Sequence, residues 1–333
     1  MNITAYRQAA VKAVRWLLSQ QNEDGSIKPV DQGIAAYYKA PYALSLAGRT
    51  PEAVRLLTWV RENAFTEEGD FGGRYPRIGA HQVYYHYANS WLICGAQRLG
   101  QFDLSLRGVD FLLSLQHPES GGFLTRGPES ALSGEQDLMS TCMAGLAALY
   151  TGRIDEAVAV GNHLARVWEK QPVASKRLYF TLHNGEQLIT DFPEEDALLR
   201  MIDASKPGQH YVIPGLATAF LVRLWYAAGE KKHLQTAHEY AEFADLCAED
   251  RYTTLPSAWF GWGAALLYQA TGNANYQRIA AAVSDSLAES QLESGTWGDP
   301  EVVAPGDMHI IVDSTAELAI LLCEIVEGLM TGE

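Results

Sequence analysis

Residues 20–27 read Gln20-Gln21-Asn22-Glu23-Asp24-Gly25-Ser26-Ile27, QQNEDGSI, and the same kind of turn returns later in the chain. Leu115–Phe123 reads LQHPESGGF, Ser290–Gly298 reads SQLESGTWG, and Thr66–Gly73, TEEGDFGG, is a looser copy. A second mark alternates with it. A glycine closes an apolar stretch and a new helical pattern follows at once, in LAGRTPEAV, RLGQFDLSL, YTGRIDEAV, AAGEKKHLQ and ATGNANYQR, at Gly48, Gly100, Gly152, Gly229 and Gly272. Glycine suits the position after a helix because it takes the left-handed conformation without a Cβ clash.

Between the marks the chain reads as helix, of two kinds. Residues 4–20 place Ala9, Ala10, Val14, Leu17 and Leu18 on one stripe, the signature of an amphipathic helix. Segments 51–64, 102–116, 153–169, 231–248 and 274–292 are two-faced in the same way. Segments 34–47, 80–99, 135–151, 210–228, 256–271 and 309–329 are apolar or small on nearly all sides, as buried helices are. Alternation of outer and inner helices predicts a ring, an all-α (α/α)6 toroid of six inner and six outer helices. The QQNEDGSI-type turn joins each outer helix to an inner one. We expect a single domain over residues 1–333, with 172–208 as an insertion. RLYFTLHNGEQLITDF alternates polar and apolar residues around Asn184-Gly185, the strongest short hairpin signal.

The turns QQNEDGSI, LQHPESGGF and QLESGTWG resemble the Gln…Gly…Trp/Phe turns of the terpenoid cyclase and protein prenyltransferase toroids. The hairpin between helices is similar to those of sugar-processing (α/α)6 barrels such as the glucosamine 2-epimerase group. The resemblance implies an α/α toroid and leaves the reaction open, because toroids host many chemistries.

The chain has 333 residues, a hydrophobic fraction of 47%, a charged fraction of 20% and a net charge of −15. That charge disfavours nucleic acid and anionic membranes as partners. Arg74 and Arg77 in GGRYPRIG are the candidates for a local basic pocket. Cys94, Cys142, Cys247 and Cys323 lie in apolar helical contexts without a C-x-x-C and read as reduced core residues. The N-terminal sequence lacks the marks of a signal peptide, and no run of about 18 apolar residues exists. A cytoplasmic monomer or homodimer acting on a small-molecule substrate is expected.

Ring geometry would bring the polar N-terminal halves of the inner helices to one opening. The sharpest case is HIIVDSTAELAILL, where His309, Asp313 and Glu317 fall at i, i+4 and i+8 on one winding stripe. Burying ionisable groups costs several kcal/mol (about 3–5) unless they are paired, so such groups often serve catalysis. The plainer alternative is a network tying helices together. In AHQVYYHYANSW, His81, Tyr84 and Tyr85 share a face and His86 lies nearer another. A histidine suits proton transfer near neutral pH, and the tyrosines could line a pocket or fill the ring centre. Tyr38, Trp259 and Trp262 are further aromatic candidates, and His210 and Asp137 further acid–base ones. The expected catalytic set is Asp313, His309, His86, His210 and Asp137. The expected substrate-binding set is His81, Tyr84, Tyr85, Tyr38, Trp259, Trp262, Glu317 and Arg74.

GEQDLMSTCM is similar to the Asp…Thr-Cys helices of prenyltransferase toroids, but no second Asp-x-Cys completes a zinc set, and no metal is expected. The Asp-x-Asp-Asp of protonation-initiated terpene cyclases and the Asp-Asp-x-x-Asp of diphosphate sites are missing. Nucleotide, P-loop and G-x-S-x-G motifs are missing as well, and no cofactor is expected. Three functions follow. The first is acid–base cyclisation or isomerisation of a small, partly apolar molecule. The second is carbohydrate processing by an epimerase, lyase or glycoside hydrolase. The third is a non-catalytic binding toroid.

Overall fold

The computed structural model describes residues 1–72, 77, 80–127 and 134–331. The expected outer helices are found as Ile3–Ser19, Thr50–Asn63, Phe102–Leu113, Ile154–Glu169, Lys231–Leu246 and Ala274–Ser290. The first starts where the Asn2 side chain accepts from the Ala5 amide at 3.1 Å, an N-cap that satisfies one orphan donor. It buries Tyr6, Ala9, Ala10, Ala13, Val14 and Leu17 on one face. The inner segments contain the helices Ala40–Leu46, Tyr85–Arg98, Leu138–Tyr150, Val212–Ala228, Ser257–Thr271 and Met308–Thr331. Val212–Ala228 and Ser257–Thr271 are buried over most of their circumference.

The two kinds of glycine do different jobs. Gly48, Gly100, Gly152, Gly229 and Gly272 all have φ between 66° and 77° and close helices in the left-handed conformation. In the recurring turn, Gly25 has φ 93° and a Cβ there would come within 2.5 Å of the Arg55 carbonyl oxygen. The turn glutamine explains the repetition. Gln21 Nε2 donates to the Gly25 and Glu52 carbonyls, both at 3.0 Å. Gln116 Nε2 does the same to Gly121 and Glu156, and Gln291 Nε2 to Gly295 and Ala9. One amide thus closes its own turn and ties it to another outer helix. The looser copy at Thr66 has no such glutamine, and Arg107 Nη2 reaches the Thr66 and Glu67 carbonyls instead.

Three inner segments differ from the expected continuous helices. Residues 34–47 begin as a 3-10 turn, Ile34–Ala36, and become α-helical only at Ala40. Segment 80–99 is broken at Tyr84 (φ −97°, ψ 67°) into Ala80–Val83 and Tyr85–Arg98. Segment 135–151 opens as a strand, Glu135–Asp137, because that stretch pairs antiparallel with Thr181–His183. The Asn184-Gly185 hairpin is therefore part of a three-stranded sheet with Gln187–Leu188. A second small sheet pairs Arg177–Tyr179 with Met201–Asp203.

The chain divides into two compact units. The first, here the terminal unit, comprises Asn2–Ser114 and Ala288–Cys323. The second, the central unit, comprises Leu115–Leu287 and Glu324–Glu333. Both sheets lie in the central unit. Cys94, Cys142 and Cys247 are buried and none of the four cysteines is in a disulfide. Among the described residues no helix is long and apolar enough to cross a membrane.

Candidate active site

In the terminal unit three segments bring charges together. Lys39 precedes helix Ala40–Leu46, and its side chain is only 4% exposed. Its Nζ lies 2.9 Å from Asp313 Oδ1 and donates to Glu317 Oε2. The rings of Tyr38 and Tyr87 flank the ammonium at 4.9 and 5.4 Å, close enough for cation–π attraction. The Tyr87 hydroxyl donates to Glu317 Oε2 at 3.0 Å. The carboxylates are the open side of this cluster, at 25% and 18% side-chain exposure. Burial alone would depress the Lys39 pKa, but Asp313 and Glu317 more than offset it and hold it above the ordinary lysine value. Burial, then Asp313, raises the Tyr38 pKa, and burial, then Glu317, raises that of Tyr87.

His81 stands edge-on to Tyr38, ring centres 5.1 Å apart. Burial lowers its pKa to about 4; Asp313 pulls the other way, while Lys39, Arg77 and His309 push it down further. The imidazole is neutral at pH 7 and can accept a proton. His309, half-buried, has its Nδ1 3.1 Å from the Gly306 carbonyl oxygen.

A second network lies beside the helix break. Arg77 donates through Nη2 to Asp70 Oδ1 at 2.9 Å and Asn89 Oδ1 at 2.7 Å, and through Nη1 to the Tyr85 carbonyl at 2.7 Å. Its guanidinium stacks 3.7 Å from the Tyr85 ring centre. The Tyr85 hydroxyl donates to Asp70 Oδ2, and Asn89 Nδ2 donates to Asp70 Oδ1 at 2.9 Å. Burial would raise the Asp70 pKa, but Arg77 and the Tyr85 and Asn89 hydrogen bonds bring it below the usual carboxylate value. Arg77 is thus neutralised and buried, a correction to its reading as part of a basic pocket. Arg74 lies outside the described residues.

Of the expected site residues, the structure gathers Tyr38, His81, Asp313 and Glu317 around Lys39. Tyr85 is drawn into the Arg77 network. Tyr84 is buried at the helix break, and His86 is wholly buried edge-on to Tyr85. Asp137, His210, Trp259 and Trp262 belong to the central unit. Asp137 is an N-cap, accepting from the Ser140 amide at 2.8 Å. Burial raises its pKa despite that bond. Trp259 and Trp262 pack at 5.6 Å within the core, and Trp262 also lies under the Arg223 guanidinium at 5.4 Å. His210 is half-buried just before helix Val212–Ala228, and burial lowers its pKa. Burial also raises the Cys142 pKa well above the thiol norm, so it is no ready nucleophile. Among the described residues no group of three or more His, Cys, Asp or Glu side chains is placed to hold a metal ion.

The expected site sets contain neither Lys39 nor Asp70. A signal for Lys39 was present: it is a lone charge inside AAYYKAPYAL, and a charge in a buried stretch requires a partner. Asp70 had no such mark, because TEEGDFGG reads as an ordinary acidic turn.

The fold defined by these helices is the (α/α) toroid with small β-hairpin insertions, as solved structures establish. A D-mannose isomerase matches with TM-score 0.67 at 13% identity over 97% of both chains. A type II terpene cyclase variant from Scytonema matches with TM-score 0.64 at 14% identity, over 98% of this chain and 99% of the other. A sugar epimerase from a ruminal bacterium matches with TM-score 0.63 at 12% identity over 88% of both chains. No protein-family model matches the sequence, and no curated protein does.

Proposed function

We propose that the chain is a carbohydrate-active enzyme that moves protons on a small reducing sugar or sugar derivative, as an isomerase or epimerase. One observation carries the reading: a neutral, largely buried His81 beside the Lys39–Asp313–Glu317 cluster, whose carboxylates remain open. The likeness in fold to a D-mannose isomerase and a sugar epimerase supports it. In this reading His81 takes the proton from the carbon next to the sugar carbonyl, and the electron pair shifts onto the carbonyl oxygen to give an enediolate. Asp313 attracts the imidazolium that forms. Return of the proton to the former carbonyl carbon, with the hydroxyl proton passing from one oxygen of the enediolate to the other, isomerises the sugar. Delivery of a proton to the opposite face of the original carbon by a His309 that enters protonated epimerises it, leaving His81 as the protonated partner. Lys39 holds the two carboxylates in place.

The test is proton exchange in heavy water, followed by NMR over a panel of aldoses, ketoses and amino sugars. Deuterium should enter beside the carbonyl with the wild type and not with His81→Gln. Absence of exchange with every sugar, or undiminished exchange in the variant, would overturn the reading.

A second reading, protonation-initiated cyclisation of a partly apolar molecule, draws on Asp137. Burial raises the pKa of that carboxyl, which favours the neutral acid such chemistry needs. Turnover of an isoprenoid, abolished by Asp137→Asn and indifferent to His81→Gln, would select it.

A further inference from the structure

We propose that Arg77 is a positioning residue that sets the place and orientation of His81 without touching the reacting groups. The inference rests on the proton-transfer reading above and assigns a role to a network that reading does not use.

The geometry is that of a clasp. His81 sits on the short helix Ala80–Val83, cut off from Tyr85–Arg98 by the non-helical backbone at Tyr84. A turn this short cannot hold itself in water. The side chain of Arg77 reaches past it to the first residue of the next helix, donating to the Tyr85 carbonyl at 2.7 Å and lying 3.7 Å from the Tyr85 ring centre. The same guanidinium is anchored outside the segment by Asp70 at 2.9 Å and Asn89 at 2.7 Å. Asp70 in turn accepts from the Tyr85 hydroxyl and, at 3.2 Å, from the Gly72 amide. Gly72 leaves the room the clasp needs, since a Cβ there would fall 2.6 Å from Arg77 Nη2. One planar group thus joins Arg77 to Tyr85, and His81 lies between these two residues in the sequence. Lysine cannot replace that group, because it lacks the fork of fixed donors and the flat face that stacks.

Around His81 stand Tyr38, Asp313, Lys39, Arg77 and His309. Burial is the largest influence keeping the imidazole neutral. A loosened segment would admit water, weaken that influence and misplace the base. A misplacement on the order of 1 Å costs about 10²-fold in rate.

The experiment is a histidine NMR titration of the full chain, with His81 assigned from the His81→Gln spectrum. Wild-type His81 should stay neutral down to about pH 4. In Arg77→Lys its midpoint should rise by at least about one pH unit, with a cooperative melt retained. The turnover number should fall about 10- to 100-fold while KM changes less than about threefold. Tyr85→Phe, which removes only the hydroxyl on Asp70, should shift the midpoint the same way by less, and it decides the matter if Arg77→Lys does not fold. An unchanged His81 midpoint in the folded variants would overturn the proposal. The titration needs no substrate, so failure of the sugar reading and failure of the clasp are told apart.

Discussion

Helix Met308–Thr331 carries two ion clusters, built in opposite senses. At Glu317 the cation is buried and the carboxylates are open: Lys39 is 4% exposed, Asp313 25% and Glu317 18%. At Glu324 the carboxylate is buried, at 3%, and Arg223 is the open partner, at 29%. Arg223 also lies over the Trp262 and Tyr150 rings at 5.4 and 6.0 Å. Both clusters carry the desolvation cost of buried charge, which pairing only partly offsets. What differs is which charge a ligand could meet. The first presents carboxylates beside a neutral histidine, the equipment of proton transfer. The second presents an arginine already engaged by an acid and two aromatic faces, the equipment of a structural tie.

That contrast can be broken by experiment. The largest effect should come from His81→Gln, which should lower sugar turnover about 10²- to 10⁴-fold, the usual share of a general base, with the melting temperature intact. Next, Glu324→Ala should cost about 1–3 kcal/mol in urea unfolding, because it removes the charge-assisted hydrogen bond to Arg223. The activity per folded molecule should be unchanged. If Glu324→Ala removes activity and spares stability, the two clusters have been assigned the wrong way round.

A smaller effect sharpens the comparison through pH. His81 in the terminal unit is depressed to about pKa 4 by burial, and His163 in the central unit to about 3 by burial and Arg166. Unfolded histidines titrate near 6.5, so below that pH the unfolded chain binds more protons than the native one. Stability should be full above about pH 6.5 and fall as pH drops toward 4. His81→Gln and His163→Gln should each flatten part of that slope. A slope unchanged in both variants would show that neither imidazole is held neutral. The smallest effect belongs to Asp137. Asp137→Ala should cost about 1 kcal/mol through the lost N-cap, and Asp137→Asn close to nothing, since asparagine caps equally well. Sugar exchange should survive Asp137→Asn if the acid is not part of the reaction.

Much of the helical alternation is legible in the sequence. Gly48 and Gly229 close helices in the left-handed conformation, and Gln21 and Gln116 close their turns with the same pair of hydrogen bonds. These are demands of a few consecutive residues, so they leave a local trace. The breaks at Tyr84 and Glu135–Asp137 left none. A strand formed at Glu135 because Thr181–His183 lies opposite it, and that partner is far along the chain.

The sequence by itself determined where the outer helices lie and which of their faces are apolar, because backbone conformation and burial periodicity are set residue by residue. It also placed Asp313 and Glu317 on one stripe. Only the tertiary structure decided that Lys39 stands between them, that Arg77 pairs with Asp70 and Tyr85, and that Glu324 is the buried partner of Arg223. Charges taken out of water must find an opposite charge or a hydrogen bond. Which one they find depends on segments brought together by folding, and spacing along the chain carries no record of that choice.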